Sequence, residues 1–446
     1  MSNETLHTSV AAAPPDAPPA PPAYFLSLTV ENFRCFGPTQ TLDLSRGDNR
    51  PAPWTIILGE NGVGKTTLLQ CLAAFHPEDA IHGFPFDTDK LYLMGASGSL
   101  RARERATSST FTVTCWLGTN LQTTASSAST GIMSIQTRHD GGSLGGHAID
   151  TRNLICYGYG ASRRMGKASL SEQRTEDTTA SLFSDDVDLI NAEEWLLQAD
   201  YAASRAAEGN TRAGERRDRV IEILKALLPD VEGIRIREAE EEISAPTVEF
   251  KTHYGWVRLK DLSLGYRTMT TWMVDLASRL FDRYPKSTNP LAEPAVVLVD
   301  EIDLHLHPRW QRTLLSFLSA LFPNTQFIAT AHSPLFVQAA EDANIVLLRR
   351  EGDHVVIDND VERIKNLRVD QILTSELFGL ESARPPQVVP ALEERQKILS
   401  KPRLTKADEA RLTELEAQIG DLPTGETPED LQAMDIIRRA AELLKT

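Results

Sequence analysis

The spacing of hydrophobic and polar positions changes several times along the chain and predicts alternating strands and helices. Residues 26–30 alternate between hydrophobic and polar, which predicts a half-buried strand, and residues 41–44 predict its hairpin partner. Continuous apolar runs, which predict strands buried on both faces, lie at 54–58, 153–157, 295–299 and 326–330. Helical segments separate these runs, so the pattern predicts an α/β domain with a mixed sheet.

Other segments predict the parts that surround this domain. Residues 84–146 are rich in Ser, Thr and Gly and contain β-prone stretches such as 110–114, which predicts short antiparallel strands and loops. Hydrophobic spacings of three and four residues predict a helical insertion over 192–228 and a charged helical tail after Pro390. A last helix is predicted to begin at Thr427, a capping residue that precedes a proline.

These changes divide the chain into five segments. Residues 1–23 are rich in Pro and Ala, and we interpret them as a disordered tail. They lack the basic region of a signal peptide, which argues against that alternative. Residues 24–185 and 241–360 are predicted to be the two halves of the α/β domain. The helical insertion between them covers 186–240, and a helical C-terminal region covers 361–446.

Composition narrows the classes of function. The 46 basic and 62 acidic residues give a net charge of −16, which argues against a protein that coats nucleic acid with its whole surface. The four cysteines are far apart, and no apolar run reaches the roughly 18–20 residues that a membrane span requires. We therefore expect a cytoplasmic protein with reduced thiols and no membrane contact.

Two local groups of basic residues depart from the acidic balance. One group follows the strand predicted at 153–157, and the other lies in the helical insertion. The groups consist of Arg163, Arg164 and Lys167, and of Arg212, Arg216, Arg217 and Arg219. Solvated surface side chains and a contact with DNA are both consistent with such groups, and the sequence leaves the two interpretations open.

A glycine-rich loop between a predicted strand and a predicted helix carries the strongest functional signal. Residues 59–66 read Gly-Glu-Asn-Gly-Val-Gly-Lys-Thr, which fits the phosphate-loop pattern G-x-x-x-x-G-K-[ST] in the strand–loop–helix context that gives it meaning. Lys65 is expected to reach the β- and γ-phosphates of ATP, and the Thr66 hydroxyl is expected to bind Mg²⁺. The residues expected to contact nucleotide are Gly59, Asn61, Gly62, Val63, Gly64, Lys65, Thr66 and Thr67.

Two carboxylates follow the buried strand predicted at 295–299. We expect Asp300 to hold Mg²⁺ and Glu301 to act as the general base for an attacking water. A solvated strand end would also explain such a pair. However, His332 follows the next buried strand, and parallel sheets collect ligands at the edge formed by their carboxyl ends. His332 is therefore predicted to contact the γ-phosphate.

A Ser-Leu-Gly sequence at 263–265 begins another predicted helix and allows two interpretations. Ser263 can be an ordinary N-cap of that helix. Alternatively, Ser263 and Gly265 at the helix N-terminus bind the γ-phosphate that a second subunit holds. The second interpretation makes the nucleotide site a shared property of two copies of the chain.

Together these motifs resemble the ABC-type ATPase heads of the RecF, SMC and OLD-like group. Residues 31–36 resemble the N-terminal strand and turn of such heads, while residues 300–311 and the Thr-Ala-His-Ser-Pro sequence at 330–334 are similar to a bacterial anti-phage branch. Within that branch, residues 24–350 resemble the PtuA-like ATPases of Septu and related retron systems. The resemblance implies a P-loop NTPase with a mixed sheet, an antiparallel β layer, a helical insertion and a helical C-terminal tail.

The resemblance also implies a function and partners. ATP and Mg²⁺ would be bound between two heads, in a homodimer or a higher homo-oligomer. Hydrolysis would be the switch of an anti-phage complex and would control a separate HNH-type nuclease, with the C-terminal region 361–446 as a docking segment. Two alternatives stay open, a RecF-like DNA repair ATPase and a binding scaffold that ATP closes with incidental turnover.

The chain departs from the patterns of related ATPase heads at three places, two of them relative to transporter ATPases and one relative to SMC-like heads. No glutamine stands where transporters have their Q-loop, and residues 157–164 occupy that region. Leu264 and Tyr266 replace the glycine and glutamine that the transporter signature favours, and His307 replaces the D-loop aspartate of SMC-like heads. These departures argue against a transporter and predict a different coupling between the metal and the rest of the domain.

Overall fold

Strands and helices alternate through the part of the chain that the computed structural model describes, which comprises residues 22–46, 50–75, 111–118, 131–138, 141–145, 153–167, 177–205, 212–238, 245–340, 342–361, 367–401 and 404–420. The strands are β1 (Tyr24–Glu31), β2 (Gln40–Asp43), β3 (Trp54–Gly59), β4 (Phe111–Gly118), β5 (Gly131–Arg138), β6 (Gly141–Gly145), β7 (Cys156–Tyr159), β8 (Gly233–Arg237), β9 (Thr247–Thr252), β10 (Gly255–Arg258), β11 (Ala295–Val299), β12 (Thr325–Thr330), β13 (Asn344–Glu351) and β14 (His354–Asp358). The helices are α1 (Lys65–Ala73), α2 (Ala192–Arg205), α3 (Arg212–Leu227), α4 (Leu264–Arg283), α5 (Pro308–Gln311), α6 (Leu314–Leu321), α7 (Pro334–Ala339), α8 (Val369–Leu373), α9 (Val389–Leu399) and α10 (Lys406–Ile419). Contacts divide the chain into two units, with the boundary after Val369.

A mixed sheet with the strand order β14-β13-β3-β12-β11-β7 carries the loops of the candidate site. Its neighbouring strands are parallel except for β13 and β14, which form an antiparallel hairpin. Nearly every residue of β3, β11 and β12 is buried, as their continuous apolar runs predict. Because these three strands are parallel neighbours, the loops that follow them converge at one edge of the sheet.

A second, antiparallel sheet with the order β2-β1-β4-β5-β6 covers one side of this core. Helix α1 contributes Leu68 and Leu72 to the same buried hydrophobic cluster as Leu28 of β1 and Ile57 of β3. The helix that follows the phosphate loop is therefore fixed by apolar contacts with both sheets. Burial of this kind is the main stabilising contribution in a domain of this size.

A buried glutamine joins the two sheets. Gln326 of β12 is fully buried, its Oε1 accepts a hydrogen bond from Phe25 N at 2.8 Å, and its Nε2 donates to Phe25 O at 2.8 Å. Phe25 lies at the irregularity in β1 where the pairing with β4 shifts register. The side-chain amide thus pairs with the backbone of β1 as a neighbouring strand would, and it satisfies polar groups inside the core.

The insertion consists of two helices that pack against each other and against α4. Arg216 of α3 donates to the Phe281 carbonyl in the last turn of α4 at 2.9 Å, where a cation satisfies a free carbonyl of the helix C-terminus. The rings of Trp195 and Phe281 stack with their centroids 6.3 Å apart. A three-stranded antiparallel sheet with the order β10-β9-β8 follows the insertion.

The second unit contains a helical hairpin of α9 and α10. Its small core consists of Ala391, Ile398 and Leu415, and Arg411 makes two hydrogen bonds to the Glu394 carboxylate across the hairpin, at 2.8 and 2.9 Å. Thr405 begins α10 with a capping box in which the side chains of Thr405 and Asp408 bond each other's backbone N–H. The helix predicted from Thr427 lies outside the described residues.

The boundaries of β7 correct one expectation from the sequence. The strand predicted at 153–157 lies at 156–159 instead, so it includes Gly158 and Tyr159, which lie beyond the predicted end. Gly158 and Gly160 have no Cβ and allow the backbone to approach the segment Thr179–Leu182, where a Cβ on Gly160 would collide with the Ser181 carbonyl. The tail at 1–21 lies outside the described residues, and no helix within the described part is long and apolar enough to cross a membrane.

We predict that Gln326→Leu destabilises the first unit because it leaves the buried N–H and C=O of Phe25 without their partners. The free energy of unfolding should fall by about 2–4 kcal/mol, the cost of two unsatisfied buried groups. Chemical denaturation monitored on the purified protein measures this change. Gln198→Leu, at an exposed position of α2, is the matched control and should change stability by less than about 0.5 kcal/mol. Equal stability of the two variants would contradict the role of Gln326.

Candidate functional site

The glycine loop after β3 has the backbone of an anion-binding turn. Gly59, Gly62 and Gly64 have φ angles of 146°, 81° and 94°, which side chains rarely allow. A Cβ on Gly64 would lie 2.5 Å from Cys35 Sγ, whereas a Cβ on Gly62 would meet nothing within 4 Å. The loop is therefore packed on one side and open on the other, and α1 begins at Lys65 with its free N–H groups at the open loop.

The turn after β1 supports this loop from its packed side. Cys35 Sγ donates to the Val63 carbonyl at 3.5 Å, and the Phe36 ring lies against Gly64. Arg34, in a left-handed conformation at φ 52°, donates to Thr67 Oγ1 at 3.3 Å. The segment that resembles the N-terminal turn of ATPase heads thus contacts the phosphate loop directly.

Lys65 is held over the loop by the loop's own carbonyls. Its ammonium donates to the carbonyl oxygens of Gly59 and Glu60, each at 2.8 Å, and the residue is 7% exposed. Burial lowers the pKa of Lys65, while the nearby charges of Asp300 and Glu301 oppose that shift. A cation held in this position can exchange carbonyl partners for phosphate oxygens without moving far.

Asp300 connects the carboxylate strand end to the phosphate loop. Its Oδ2 accepts a hydrogen bond from Thr66 Oγ1 at 2.7 Å, and its Oδ1 accepts one from Thr330 Oγ1 at 2.6 Å. A threonine hydroxyl and a carboxylate in contact are oxygen ligands of the kind that Mg²⁺ prefers, so the residues present fit this ion. The described residues include no cluster of three or more His, Cys, Asp or Glu that could hold another metal.

Glu301 follows Asp300 in a strained backbone conformation. Its φ is 48°, in the left-handed region, and its N–H donates to Thr330 Oγ1 at 2.7 Å. The Thr330 hydroxyl therefore bonds both carboxylate residues, one through its side chain and one through its backbone. Sequence reasoning placed Thr330 in a buried strand and in the Thr-Ala-His-Ser-Pro sequence at 330–334 but assigned it no role in the site, although a threonine two residues before His332 at the converging strand edge was a usable signal.

Arg163 is a second residue of the site that sequence reasoning missed. It is 2% exposed, so the interpretation of Arg163 as a surface or DNA-binding arginine is wrong. Its guanidinium donates to the Asp300 and Glu301 carbonyls at 2.6 and 2.9 Å. Burial lowers its pKa to about 10, against the opposing effect of the neighbouring Asp300, Glu301 and Asp303 charges.

His332 lies at the same edge with its side chain exposed. Its N–H donates to the Asp303 carboxylate at 3.0 and 3.2 Å, and the Asp303 side chain is buried. Ser333 caps α7 and donates to Gln311 Oε1 at 2.7 Å. These contacts fix the backbone at His332 relative to the loop after β11.

Ser263 and Gly265 lie at the N-terminus of α4. Ser263 is the exposed N-cap of α4 and makes no side-chain capping bond, and the following Leu264 is 49% exposed. Gly265 packs against the loop after β11, where a Cβ would lie 2.5 Å from the His305 carbonyl. The helix N-terminus and the Ser263 hydroxyl are therefore open to an external ligand.

The remaining basic residues make contacts within the chain. Arg164 is 54% exposed and pairs with Asp188 at 3.1 Å, and Lys167 is exposed. In the insertion, Arg212 and Arg216 donate to carbonyls near the C-terminal end of α4, and Arg217 pairs with Asp200 and Asp218. These contacts support the interpretation of the insertion arginines as surface residues that stabilise the helices.

The sequence is similar to two family models and to several known proteins. Residues 167–338 match a family model described as "AAA domain, putative AbiEii toxin, Type IV TA system", and residues 27–75 match a model described as "AAA domain". The Septu protein PtuA of Bacillus mycoides (strain KBAB4) is 27% identical over 80% of this chain, and the Retron Ec83 probable ATPase of Escherichia coli is 30% identical over 41%. The chain is therefore similar to a Septu protein and to a probable ATPase of a retron system.

The extent of these matches differs between the comparisons. The alignments cover 45% of the Septu protein and 31% of the retron ATPase, so the chain spans less than half the length of these relatives. Among solved structures, the SMC head domain from Thermotoga maritima matches 75% of this chain and 97% of its own, with 16% identity and a TM-score of 0.40. The phosphate loop at 59–66 lies within the matched segment 27–75, and residues 300–311 and 330–334 lie within the matched segment 167–338. Together with the similarity to the Septu protein PtuA, these matches confirm the resemblance drawn from residues 300–311 and 330–334.

Proposed function

We propose that this chain binds ATP on the loop at 59–66 and hydrolyses it in a site completed by a second copy of the chain. The observation that carries the proposal is the 2.7 Å hydrogen bond from Thr66 to Asp300, which joins the phosphate loop to the carboxylate strand end across 234 residues of sequence. Relatives named Septu PtuA and retron probable ATPase support the same activity.

In this proposal, the loop at 59–66 binds the phosphates of ATP. The N–H groups at the N-terminus of α1 and the Lys65 ammonium donate to phosphate oxygens, and Lys65 leaves the Gly59 and Glu60 carbonyls to do so. When bound, Mg²⁺ neutralises charge on the β- and γ-phosphates, with Thr66 and Asp300 as the residues that would hold it. The site residues Asn61, Val63 and Thr67 line or support the same loop.

Hydrolysis depends on Glu301 and His332. Glu301 accepts a proton from the attacking water as the water oxygen bonds to the γ-phosphorus and the bond to the ADP oxygen breaks. His332 donates to the γ-phosphate oxygens from the end of the neighbouring strand. Both groups have their backbones fixed by side chains of the same edge, Glu301 by Thr330 and His332 by Asp303, so the site is organised before the nucleotide arrives.

The second copy contributes Ser263 and Gly265. The open N-terminus of α4 offers N–H donors and a hydroxyl without a capping partner, which suits the γ-phosphate of a nucleotide bound to the other subunit. Exposed Leu264 beside it suits an interface between two heads. The assembly in this proposal is a homodimer, or a higher homo-oligomer built from such pairs.

The biological role that we propose is the nucleotide switch of an anti-phage complex that controls a separate nuclease of HNH type. Kinship with Septu and retron ATPases favours this role over a RecF-like repair ATPase. The repair alternative needs a basic surface for DNA, but Arg163 is buried and most insertion arginines contact carbonyls or carboxylates of the chain. The helical hairpin of α9 and α10, with its small core and charged surface, is the proposed docking segment for the nuclease.

We predict that Lys65→Ala and Glu301→Gln separate binding from turnover. Lys65 bonds the phosphates of bound ATP, so its loss should weaken ATP affinity about 100-fold. Glu301 acts only on the attacking water, so Glu301→Gln should keep ATP affinity and lower turnover by about 10²–10⁴-fold. Titration with a fluorescent ATP analogue and a phosphate-release assay measure the two quantities.

Glu222→Gln, at an exposed position of α3, is the control for loss of a carboxylate and should leave both quantities unchanged. The reversed pattern, with binding lost in Glu301→Gln and retained in Lys65→Ala, would contradict the assigned roles. Full phage protection by Glu301→Gln would favour the alternative of a scaffold closed by ATP, in which turnover is incidental.

We also predict that deletion of residues 389–446 leaves ATPase activity largely intact and prevents recruitment of the nuclease. The deleted helices belong to the second unit, whereas the residues of the ATP site lie in the first. Phosphate release by the truncated chain and its co-purification with the product of the neighbouring gene provide the measurement. A truncated chain that still co-purifies with that product would exclude the hairpin as the docking segment.

A further inference from the structure

The buried Arg163 bonds the backbone of Asp300 and Glu301, in an arrangement that surface salt bridges do not have. Arg163 Nη1 donates to the Asp300 carbonyl at 2.6 Å, and Nη2 donates to the Glu301 carbonyl at 2.9 Å. The two nitrogens of one planar guanidinium therefore hold two successive backbone carbonyls. A lysine at this position would have to reach both carbonyls from one nitrogen, whereas the guanidinium offers a separate nitrogen to each.

The carbonyls that Arg163 holds belong to a strained part of the backbone. The strand β11 ends at Val299, and Glu301 adopts a φ of 48°, in the left-handed region that non-glycine residues avoid. Such a conformation persists only where the surroundings determine it, and strain of this kind concentrates at functional sites. Thr330 holds the Glu301 N–H and Arg163 holds its carbonyl, so both sides of the residue are fixed.

Arg163 is itself rigidly supported. Its own φ is 34°, and on its C-terminal side the Arg164 carbonyl accepts a bond from Leu189 N at 2.8 Å while Gly166 N donates to Leu189 O at 2.9 Å. Its guanidinium lies 5.8 Å from the centre of the Trp272 ring on α4. Arg163, in the loop after β7, is therefore supported by Leu189 in the segment before α2 and by Trp272 of α4, and through Arg163 these segments support the Glu301 backbone.

We propose that Arg163 is a positioning residue for ATP hydrolysis: by holding the Asp300 and Glu301 carbonyls, it aims the Glu301 carboxylate at the attacking water. The inference rests on the proposed function, since it deepens the role of the same site. It also accounts for the absence of a Q-loop glutamine, because the segment 157–164 that occupies that region contacts the backbone of Asp300 and Glu301 through Arg163 instead. A general base displaced by about 1 Å can lose about 100-fold in rate, while the phosphate loop is unaffected.

The experiment compares Arg163→Met, Arg163→Lys and Arg164→Met in the full-length protein, without nucleic acid. Methionine keeps the apolar stem of the arginine side chain but has no hydrogen-bond donor, so turnover should fall about 100-fold while ATP affinity changes less than about threefold. Lysine can hold one carbonyl and should recover part of the rate. The exposed neighbour Arg164 is the matched control, and its variant should behave as the unmodified protein does.

Two further measurements separate positioning from a general structural role. In the unliganded protein, hydrogen exchange of the loop at 300–304 should rise in Arg163→Met, while exchange in α1 stays unchanged. In a Glu301→Gln background, Arg163→Met should lower the residual turnover little further, because both changes act on the same step. A variant that merely unfolds the domain would raise exchange everywhere and lose ATP binding as well.

The outcomes distinguish this inference from the proposed function. Normal turnover in Arg163→Met, with turnover lost in Glu301→Gln, would overturn the role of Arg163 and leave the proposed function standing. If Arg163→Met does not fold, full turnover and unchanged loop exchange in Arg163→Lys would overturn it equally. An unmodified protein that binds ATP without hydrolysing it would remove the proposed function and this inference together.

Discussion

The rest of the site depends on the hydrogen bonds that the Asp300 carboxylate accepts from Thr66 and Thr330. The phosphate-loop strand β3 and the carboxylate strand β11 are not neighbours in the sheet, because β12 lies between them. The Thr66–Asp300 bond crosses this intervening strand, and Thr330 at the end of β12 bonds the same carboxylate from the middle. One side chain thus fixes the relative positions of three loops, and the strand order is what makes this possible.

The surrounding structure holds that edge of the sheet by pairing buried polar groups. At that edge, Asp303 bonds the backbone at His332 and Arg163 bonds the backbone of both carboxylate residues, while Gln326 bonds the backbone of β1 near the opposite end of β12. Each of these side chains is buried and would be costly without its partners. Hydrogen bonds between buried side chains and the backbone therefore hold this edge in place, while the helices and the second sheet contribute the apolar core.

The sequence predicted the parts of this arrangement whose signals are local. A glycine loop between an apolar strand and a helix, and a pair of carboxylates after an apolar strand, can each be recognised within about ten residues. Arg163 could not be assigned in this way, because its partners follow a strand more than 130 residues later and a run of two arginines resembles a solvated surface. Its signal was the pair of glycines at the end of β7, Gly158 within the strand and Gly160 just after it, which mark a backbone packed too closely for side chains.

If each ATP site combines the phosphate loop of one copy with Ser263 of another, two subunits with complementary defects should restore activity when they are mixed. Ser263→Arg and Lys65→Ala subunits should each be inactive alone. Mixed in equal amounts, they should recover about a quarter of the unmodified turnover, because half of the pairs are mixed and each mixed pair has one intact site of two. Ser263→Arg mixed with the double variant Lys65→Ala/Ser263→Arg has no intact site and should stay inactive. Absence of recovered phosphate release in the first mixture, from subunits that exchange freely, would contradict the shared site.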